Sequence, residues 1–401
     1  MKPGNYDAII LGAGGAGLMC ALTAGHRGRR VLVIDHATGP GKKILISGGG
    51  RCNFTNVNAT TAHAQERYLS ANPHFAKSAL GRYTPADFVE MVKAHGIAFH
   101  EKTLGQLFCD GSARQIVEML MNECDRSVTV GGHVDFAFDA PVGEVSHDGS
   151  EYCVTYNGLH ARASSLVIAT GGPSIPKMGA TGFAYDLARQ FGLKVVEPRP
   201  ALVPLTLGGD DVLFRELSGV SADVVARCGK IEFREAALLT HKGLSGPAVL
   251  QISSYWRPGQ SIGIDFLPGK EAGWLRQLKR DKPRSNLKSA LSGELSGRLA
   301  DTLADRIGYG GNLADVQDRA LEDAERNLGS WTFTPNGSEG YAKAEVTLGG
   351  IATDTLSQQT MKAKKAPGLY CIGEAVDVTG WLGGYNFQWA WASGVAAGQA
   401  L

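Results

Sequence analysis

The chain has 401 residues, 43% of them apolar, and its 40 basic and 39 acidic residues leave a net charge of +1. That is enough chain for two or three domains with sizeable cores, and the balance excludes a protein that is basic overall for nucleic acid or membrane surfaces. The seven cysteines are scattered and form no Cys-x-x-Cys, which argues against a disulfide scaffold and a metal site and for a reducing compartment, the cytoplasm.

Taken in chain order, Tyr6-Asp7-Ala8-Ile9-Ile10-Leu11 is a short apolar run ending at glycine, the pattern of a buried parallel strand. Asp7, with the glycines close behind, separates this start from a signal peptide. Gly12-Ala13-Gly14-Gly15-Ala16-Gly17 then spells G-x-G-x-x-G. An Ala- and Leu-rich helix over 15–26 and a strand over 31–35 complete a βαβ unit. In that context the motif is a dinucleotide fingerprint. Gly12 makes the turn, Gly14 admits a pyrophosphate to the helix N-terminus, and Gly17 lets helix and strand pack closely. Asp35 would accept hydrogen bonds from a ribose, with Ala13, Ala16 and His36 in the same candidate set. An acid at 35 instead of an arginine argues against a 2′-phosphate.

The next segment is the most specific. It runs Gly41-Lys42-Lys43-Ile44-Leu45-Ile46-Ser47-Gly48-Gly49-Gly50-Arg51-Cys52-Asn53. Three consecutive glycines leave backbone N–H groups bare, so an anionic ligand can lie against them. Lys42, Lys43 and Arg51 bracket that backbone, with Ser47, Cys52 and Asn53 at its ends. The segment lies where a flavin nucleotide would need a second loop.

Residues 73–126 read as mostly helical, with starts at Pro85 and at Ser112-Ala113. Alternation over 128–168 predicts a small antiparallel meander. It closes on a buried strand and the turn Ala169-Thr170-Gly171-Gly172, where Thr170, Gly171 and Gly172 would pass beside the cofactor. Pro198, Pro200 and Pro204 mark a crossing into an inserted domain, β-rich over 205–267 and helical over 270–329. The helical part opens on a basic stretch: Lys270, Arg276, Lys279, Arg280, Lys282, Arg284 and Lys288. Ala344 returns the chain to the first domain. Leu369-Tyr370-Cys371-Ile372 is a last core strand, and the Gly373 and Glu374 that follow it resemble the C-terminal flavin-ribityl contact of two-domain flavoproteins. Gly384, Tyr385 and Asn386 open a closing helix, whose N-terminal amides would face the flavin edge where negative charge builds on reduction.

Together these segments resemble the YhiN/BaiN-like family of FAD-dependent oxidoreductases. The likeness rests on the fingerprint and the Ser-Gly-Gly-Gly-Arg-Cys-Asn loop. It extends to Leu202-Val203-Pro204-Leu205, to Thr240-His241-Lys242-Gly243-Leu244-Ser245-Gly246-Pro247, and to Gly383-Gly384-Tyr385-Asn386-Phe387-Gln388-Trp389-Ala390. Gly105-Gln106-Leu107-Phe108-Cys109 departs from the family's Gly-Arg-x-Phe-Pro, as expected of a shorter branch. The resemblance implies an α/β fold: a discontinuous Rossmann-like FAD domain of the GR2 type over 1–198 and 341–401. Into it are set a β-barrel-like domain over 199–268 and a helical subdomain over 269–340. It also implies reduction of activated C=C bonds, in a steroid enone or a uracil of ribosomal RNA.

The resulting expectation is an FAD-dependent reductase of a small molecule. With no second fingerprint, NAD(P)H would dock transiently as electron donor. The alternatives are a reductase of uridine in RNA, with the basic stretch as its footprint, and a flavin-binding redox sensor without turnover. Cys52 is the first candidate for the proton donor because it sits in the loop beside the expected flavin ring. His241 is the second.

Overall fold

The computed structural model describes residues 5–401. The chain forms two compact units, one from the chain up to Arg199 together with Val346–Leu401, the other from Pro200–Glu345. In the first, five strands run parallel in the order His133–Ala137, Arg30–Ile34, Asn5–Leu11, Leu159–Ile168, Leu369–Cys371. Helices cover this sheet, so the inner stretches of its central strands are apolar and buried: residues 8–11, 31–34 and 166–168 are at most 3% exposed. The fingerprint helix Gly15–Gly25 packs against the closing helix Tyr385–Gly398 and against Arg114–Arg126.

Two sequence expectations change here. The segment His133–Ala137 leaves the meander and pairs in parallel with Arg30–Ile34; the antiparallel part is Val142–His147, Tyr152–Tyr156 and the first half of Leu159–Ile168. Within 73–126, helices Lys77–Arg82, Pro85–Ala94 and Arg114–Arg126 form, but Phe99–Glu101 and Gln106–Cys109 make a hairpin. The hairpin pairs with Asn53–Asn56, the strand leading out of the triple-glycine loop.

The second unit is a seven-stranded antiparallel sheet ordered Trp331–Phe333, Ile262–Asp265, Ser221–Cys228, Ile231–Leu239, Gly243–Ser245, Leu205–Thr206, Gly337–Ser338. Helices Trp274–Asp281, Leu287–Ser292, Gly297–Ile307 and Asp318–Gly329 lie between two of its paired strands in sequence. They belong to the same compact unit as the sheet. The segment is tied to the sheet at both ends: Trp331–Phe333 returns to Ile262–Asp265, and the Phe266 N–H donates to the Leu328 carbonyl at 3.0 Å.

Candidate functional site

The fingerprint turn has the geometry its glycines permit. Gly12 has φ = 108°, and a Cβ there would press on the Ala169 carbonyl at 2.6 Å. A Cβ on Gly17 would overlap the Gly12 carbonyl oxygen. Gly14 is different: no atom lies within 4 Å of where its Cβ would be. It is the N-cap of the fingerprint helix and gives it no side-chain cap, so the first-turn N–H groups are left for an external anion. Asp35 accepts from the Ala13 N–H and the Ala37 N–H, both at 2.7 Å, which leaves lone pairs on both oxygens for a ribose. His36 lies beside it, Nδ1 3.7 Å from Asp35 Oδ1.

In the second loop, Lys42–Ile46 is one helical turn and Ser47–Gly50 a tighter one, with Gly48 and Gly49 left-handed at φ = 55° and 67°. Ser47 Oγ donates to the Ile44 carbonyl at 2.8 Å. Gly48 packs on Phe108, whereas the space around Gly49 is open. The Ala113 N–H donates to the Gly50 carbonyl and the Cys109 N–H to the Arg51 carbonyl, at 2.8 and 3.0 Å. Arg51 itself is exposed and Lys42 half-buried. The Asn53 and Gln106 side-chain amides meet at 2.8 Å.

Lys43 reaches across the fold. Its Nζ donates to Glu374 Oε2 and to Ser174 Oγ, each at 2.6 Å. Ser174 Oγ donates to Glu374 Oε1 at 2.6 Å, and the Thr347 N–H donates to the same oxygen at 2.9 Å. Two residues singled out separately in the sequence thus form one ion pair. Sequence reading missed Ser174 and Thr347. Ser174 follows directly on Gly171-Gly172-Pro173 and was findable as a hydroxyl in that turn; Thr347 carries no local signal.

The remaining segments close on these. The Cβ position of Gly12 is 3.1 Å from Thr170 Cα, that of Gly171 is 3.9 Å from Glu374 Oε2, and that of Gly172 is 2.5 Å from Thr347 Oγ1. The Cβ position of Gly373 is 2.8 Å from Ala16 Cβ. The Gly373 carbonyl accepts from Trp389 Nε1 at 3.0 Å, and its N–H donates to Ser393 Oγ at 3.0 Å. Gly384 backs onto the Thr55 backbone and the Asn53 side chain. Asn386 accepts from the Gly380 N–H at 2.8 Å and donates to the Gly380 carbonyl at 2.9 Å, so its amide braces the chain. Tyr385 is buried, and its phenolic oxygen accepts from Arg67 Nη1 at 2.8 Å.

These residues fit a flavin dinucleotide. The helix N-terminus at Gly14 and the backbone at Gly49 are open. An acid ends the second strand. The hydroxyls of Thr170 and Thr347 are buried without a hydrogen-bond partner, an expensive state unless a ligand satisfies them.

The two acid candidates sit differently from expectation. Cys52 has no exposed surface, and burial pushes its thiol up to about 12. The exposed Arg51 does not lower it; the lowering influence is a hydrogen bond with Ser47. With no cation to hold a thiolate, this geometry favours packing over proton donation. Cys52→Ala should therefore keep its flavin, lose about 1 kcal/mol of stability from the buried sulfur, and turn over within about twofold of wild type. A drop in the oxidative half-reaction toward the roughly 10²-fold minimum of a lost acid would restore Cys52 as donor. His241 lies in the other unit on an exposed turn, where its carbonyl accepts from Arg215 Nε at 2.8 Å.

The basic stretch in that unit is partly neutralised. Lys270, Arg276, Lys279 and Lys288 pair with Glu294, Glu322, Asp318 and Asp305, at 2.6 to 2.9 Å. Arg280, Lys282 and Arg284 are exposed and have no carboxylate partner among the described residues; Arg280 donates to Gln277 Oε1 at 2.6 Å. No helix among the described residues is long and apolar enough to cross a membrane.

A parallel sheet with a glycine turn at its first strand–helix junction, met by a second glycine loop and a late acid, defines a Rossmann-type flavoprotein oxidoreductase. The chain belongs to the family described as HI0933-like protein Rossmann domain, whose model matches residues 6–400. It is 49% identical to the ribosomal RNA dihydrouridine synthase of Escherichia coli (strain K12), over 99% of this chain and 98% of that protein. It is 29% identical to the 3-dehydro-bile acid delta(4,6)-reductase of Clostridium scindens, over 98% of each. Among solved structures, the 3-ketosteroid delta1-dehydrogenase of Sterolibacterium denitrificans matches with a TM-score of 0.53 at 13% identity, over 99% of each chain, a likeness of fold.

Proposed function

We propose that this protein is an FAD-dependent reductase that saturates a C=C bond conjugated to a carbonyl, and that its substrate class is the uracil base of ribosomal RNA. The observation that carries this reading is the full-length likeness, at 49% identity, to a protein named as a ribosomal RNA dihydrouridine synthase. The more distant relative is named as a reductase of a steroid double bond. A uracil and a steroid enone share one electronic feature: a β-carbon made electrophilic by a conjugated carbonyl. This supports the same reaction type in both and ranks the RNA base above the small molecule expected first.

The fingerprint turn, Asp35 and the glycine loop would hold the nucleotide, and Glu374, kept in place by Lys43 and Ser174, would meet the flavin side. The flavin supplies hydride transfer, and the chain supplies position, charge and the proton. Nicotinamide is proposed as a transient donor at the flavin face, since the sequence has one fingerprint only. The partly paired basic stretch leaves Arg280, Lys282 and Arg284 as its contribution to RNA affinity, so binding should be weaker and less salt-sensitive than seven free cations would give.

The test is anaerobic. Purified yellow protein should bleach on adding NADH or NADPH and recolour with a ribosomal RNA fragment containing the target uridine. Recolouring with a steroid enone and not with RNA would overturn the substrate. Failure to bleach with either nicotinamide would overturn the donor, and failure with every physiological reductant would leave the redox-sensor reading.

A further inference from the structure

We propose that Tyr385 is the proton donor of this site and that Arg67 is the positioning residue that makes it one. The inference rests on the reductase reading above. Nothing in the sequence pointed to Arg67. It lies just before the two-residue strand Tyr68–Leu69, which pairs with Thr379–Gly380, and so comes opposite the start of the closing helix.

Three observations carry the proposal. First, Tyr385 opens the closing helix directly after Gly383 and Gly384, both left-handed, and Gly384 touches Asn53 and Thr55 at the exit of the triple-glycine loop. The phenol is therefore attached to the backbone that the cofactor segments share. Second, its oxygen accepts a hydrogen bond from Arg67 Nη1, while its own hydroxyl hydrogen has no acceptor among the described residues. It is a donor with its proton still to give. Third, Arg67 is built in at a cost. Its side chain is 18% exposed, its Nε is buried without a hydrogen-bond partner, and the only carboxylate near it among the described residues, the exposed Glu66, stands with Oε2 4.0 Å from that Nε. The guanidinium lies over the Trp381 and Tyr385 rings, 5.7 and 5.9 Å from their centroids. A cation held this way, with an unpaired N–H, is unfavourable as packing alone.

The physical role follows from what an acid needs, a stabilised conjugate base. Burial pushes the Tyr385 phenol up, and Arg67 works against that through its charge and its hydrogen bond. Glu66 pushes the other way, and Tyr68 packs edge-on against the ring, with its hydroxyl donating to the Tyr385 carbonyl at 3.1 Å. The phenol stays protonated at neutral pH, and the charge left when the proton departs falls next to a guanidinium. Cys52 has no such partner.

Saturating a polarised C=C bond takes a hydride at the β-carbon and a proton at the α-carbon, and the hydride is what a reduced flavin supplies. For the proton, the Tyr385 O–H bond breaks and a C–H bond forms at the α-carbon. The electron pair stays on Oη, where the Arg67 Nη1–H group holds it until water restores the proton.

The test uses Tyr385→Phe, Arg67→Met and Arg67→Lys in the flavin-loaded protein. Tyr385→Phe should retain flavin and bleach at the wild-type rate, while recolouring with substrate slows about 10²- to 10⁴-fold. Arg67→Lys should recover part of the rate that Arg67→Met loses. A readout independent of turnover is the ¹⁹F NMR titration of a fluorinated tyrosine placed at 385, whose more acidic phenol titrates in an accessible range. Replacing Arg67 by Met should move that midpoint up by about one pH unit or more. If wild type reduces substrate and Tyr385→Phe does so within about threefold, the donor role is overturned while the reductase reading stands. An unmoved midpoint overturns the role of Arg67. If wild type reduces neither RNA nor enone, the reductase reading falls and the donor role with it.

Discussion

Gly14→Val is expected to purify as a folded, colourless protein. Gly14 has φ = −78°, which valine accepts, and no protein atom stands within 4 Å of the new Cβ. The isopropyl group instead occupies the space in front of the helix N-terminus, where an anion would gain the bare N–H groups and the helix dipole. Bound flavin should fall by about tenfold or more, while the circular dichroism spectrum stays that of wild type. The melting temperature should match flavin-stripped wild type, since only ligand stabilisation has been lost. Three residues on, Gly17→Val should behave oppositely. Its Cβ would overlap the Gly12 carbonyl oxygen, a backbone clash that no rotamer relieves, and overpacking of this kind costs about 3 kcal/mol or more. That variant should aggregate or melt far below wild type. Normal flavin content in Gly14→Val would remove the dinucleotide from this turn.

Trp391→Ala should destabilise the flavin-binding unit by about 3–5 kcal/mol, the range for truncating a fully buried aromatic. Trp391 is completely buried and stacks on Phe88 and Phe387, with centroids 4.6 and 5.5 Å apart. Its Nε1 donates to the Phe54 carbonyl at 2.7 Å, so truncation also strands a buried acceptor. It matters to function because of where it stands. Its ring fills the space that a Cβ on Gly15 would need, 2.7 Å away, and thereby joins the fingerprint helix, the closing helix and the strand after the glycine loop. The measured consequence should be a fall in melting temperature of roughly 10 °C, with weaker flavin retention. Trp391→Phe should keep the stacking and lose only the hydrogen bond, for a drop of about 1–2 kcal/mol. Equal losses in the two variants would show that the hydrogen bond, and not the aromatic packing, holds these elements together.

How much could be read in advance depended on how far apart the interacting groups are in the chain. The βαβ start was legible because its signals are adjacent: an apolar run, a glycine turn, a helix, a strand and an acid within about 30 residues. The Phe99–Cys109 hairpin was missed because its turn uses Leu104 and Gly105 in left-handed conformations, φ = 61° and 78°; leucine is not a turn residue by any local rule. Strand His133–Ala137 was placed with the meander because alternation reveals a strand and not its partner; it lies at the opposite edge of the same sheet, beside Arg30–Ile34. The basic stretch reads as a cationic patch until later helices bring Asp305, Asp318 and Glu322 against it.

By itself, the amino-acid sequence determined the Rossmann-type front, the two glycine-built cradles and the expectation of a flavin nucleotide, because these depend on what each backbone position can tolerate locally. The tertiary structure decided which charges stand together. Lys43 meets Glu374 and Arg67 meets Tyr385 across separations of 331 and 318 residues. Such pairs form only after the sheet and closing helix have fixed both backbones, and no local preference of either residue encodes its partner. The proposed assignment of the proton therefore rests on the folded molecule, whereas the expectation of a nucleotide is already written in the order of the glycines.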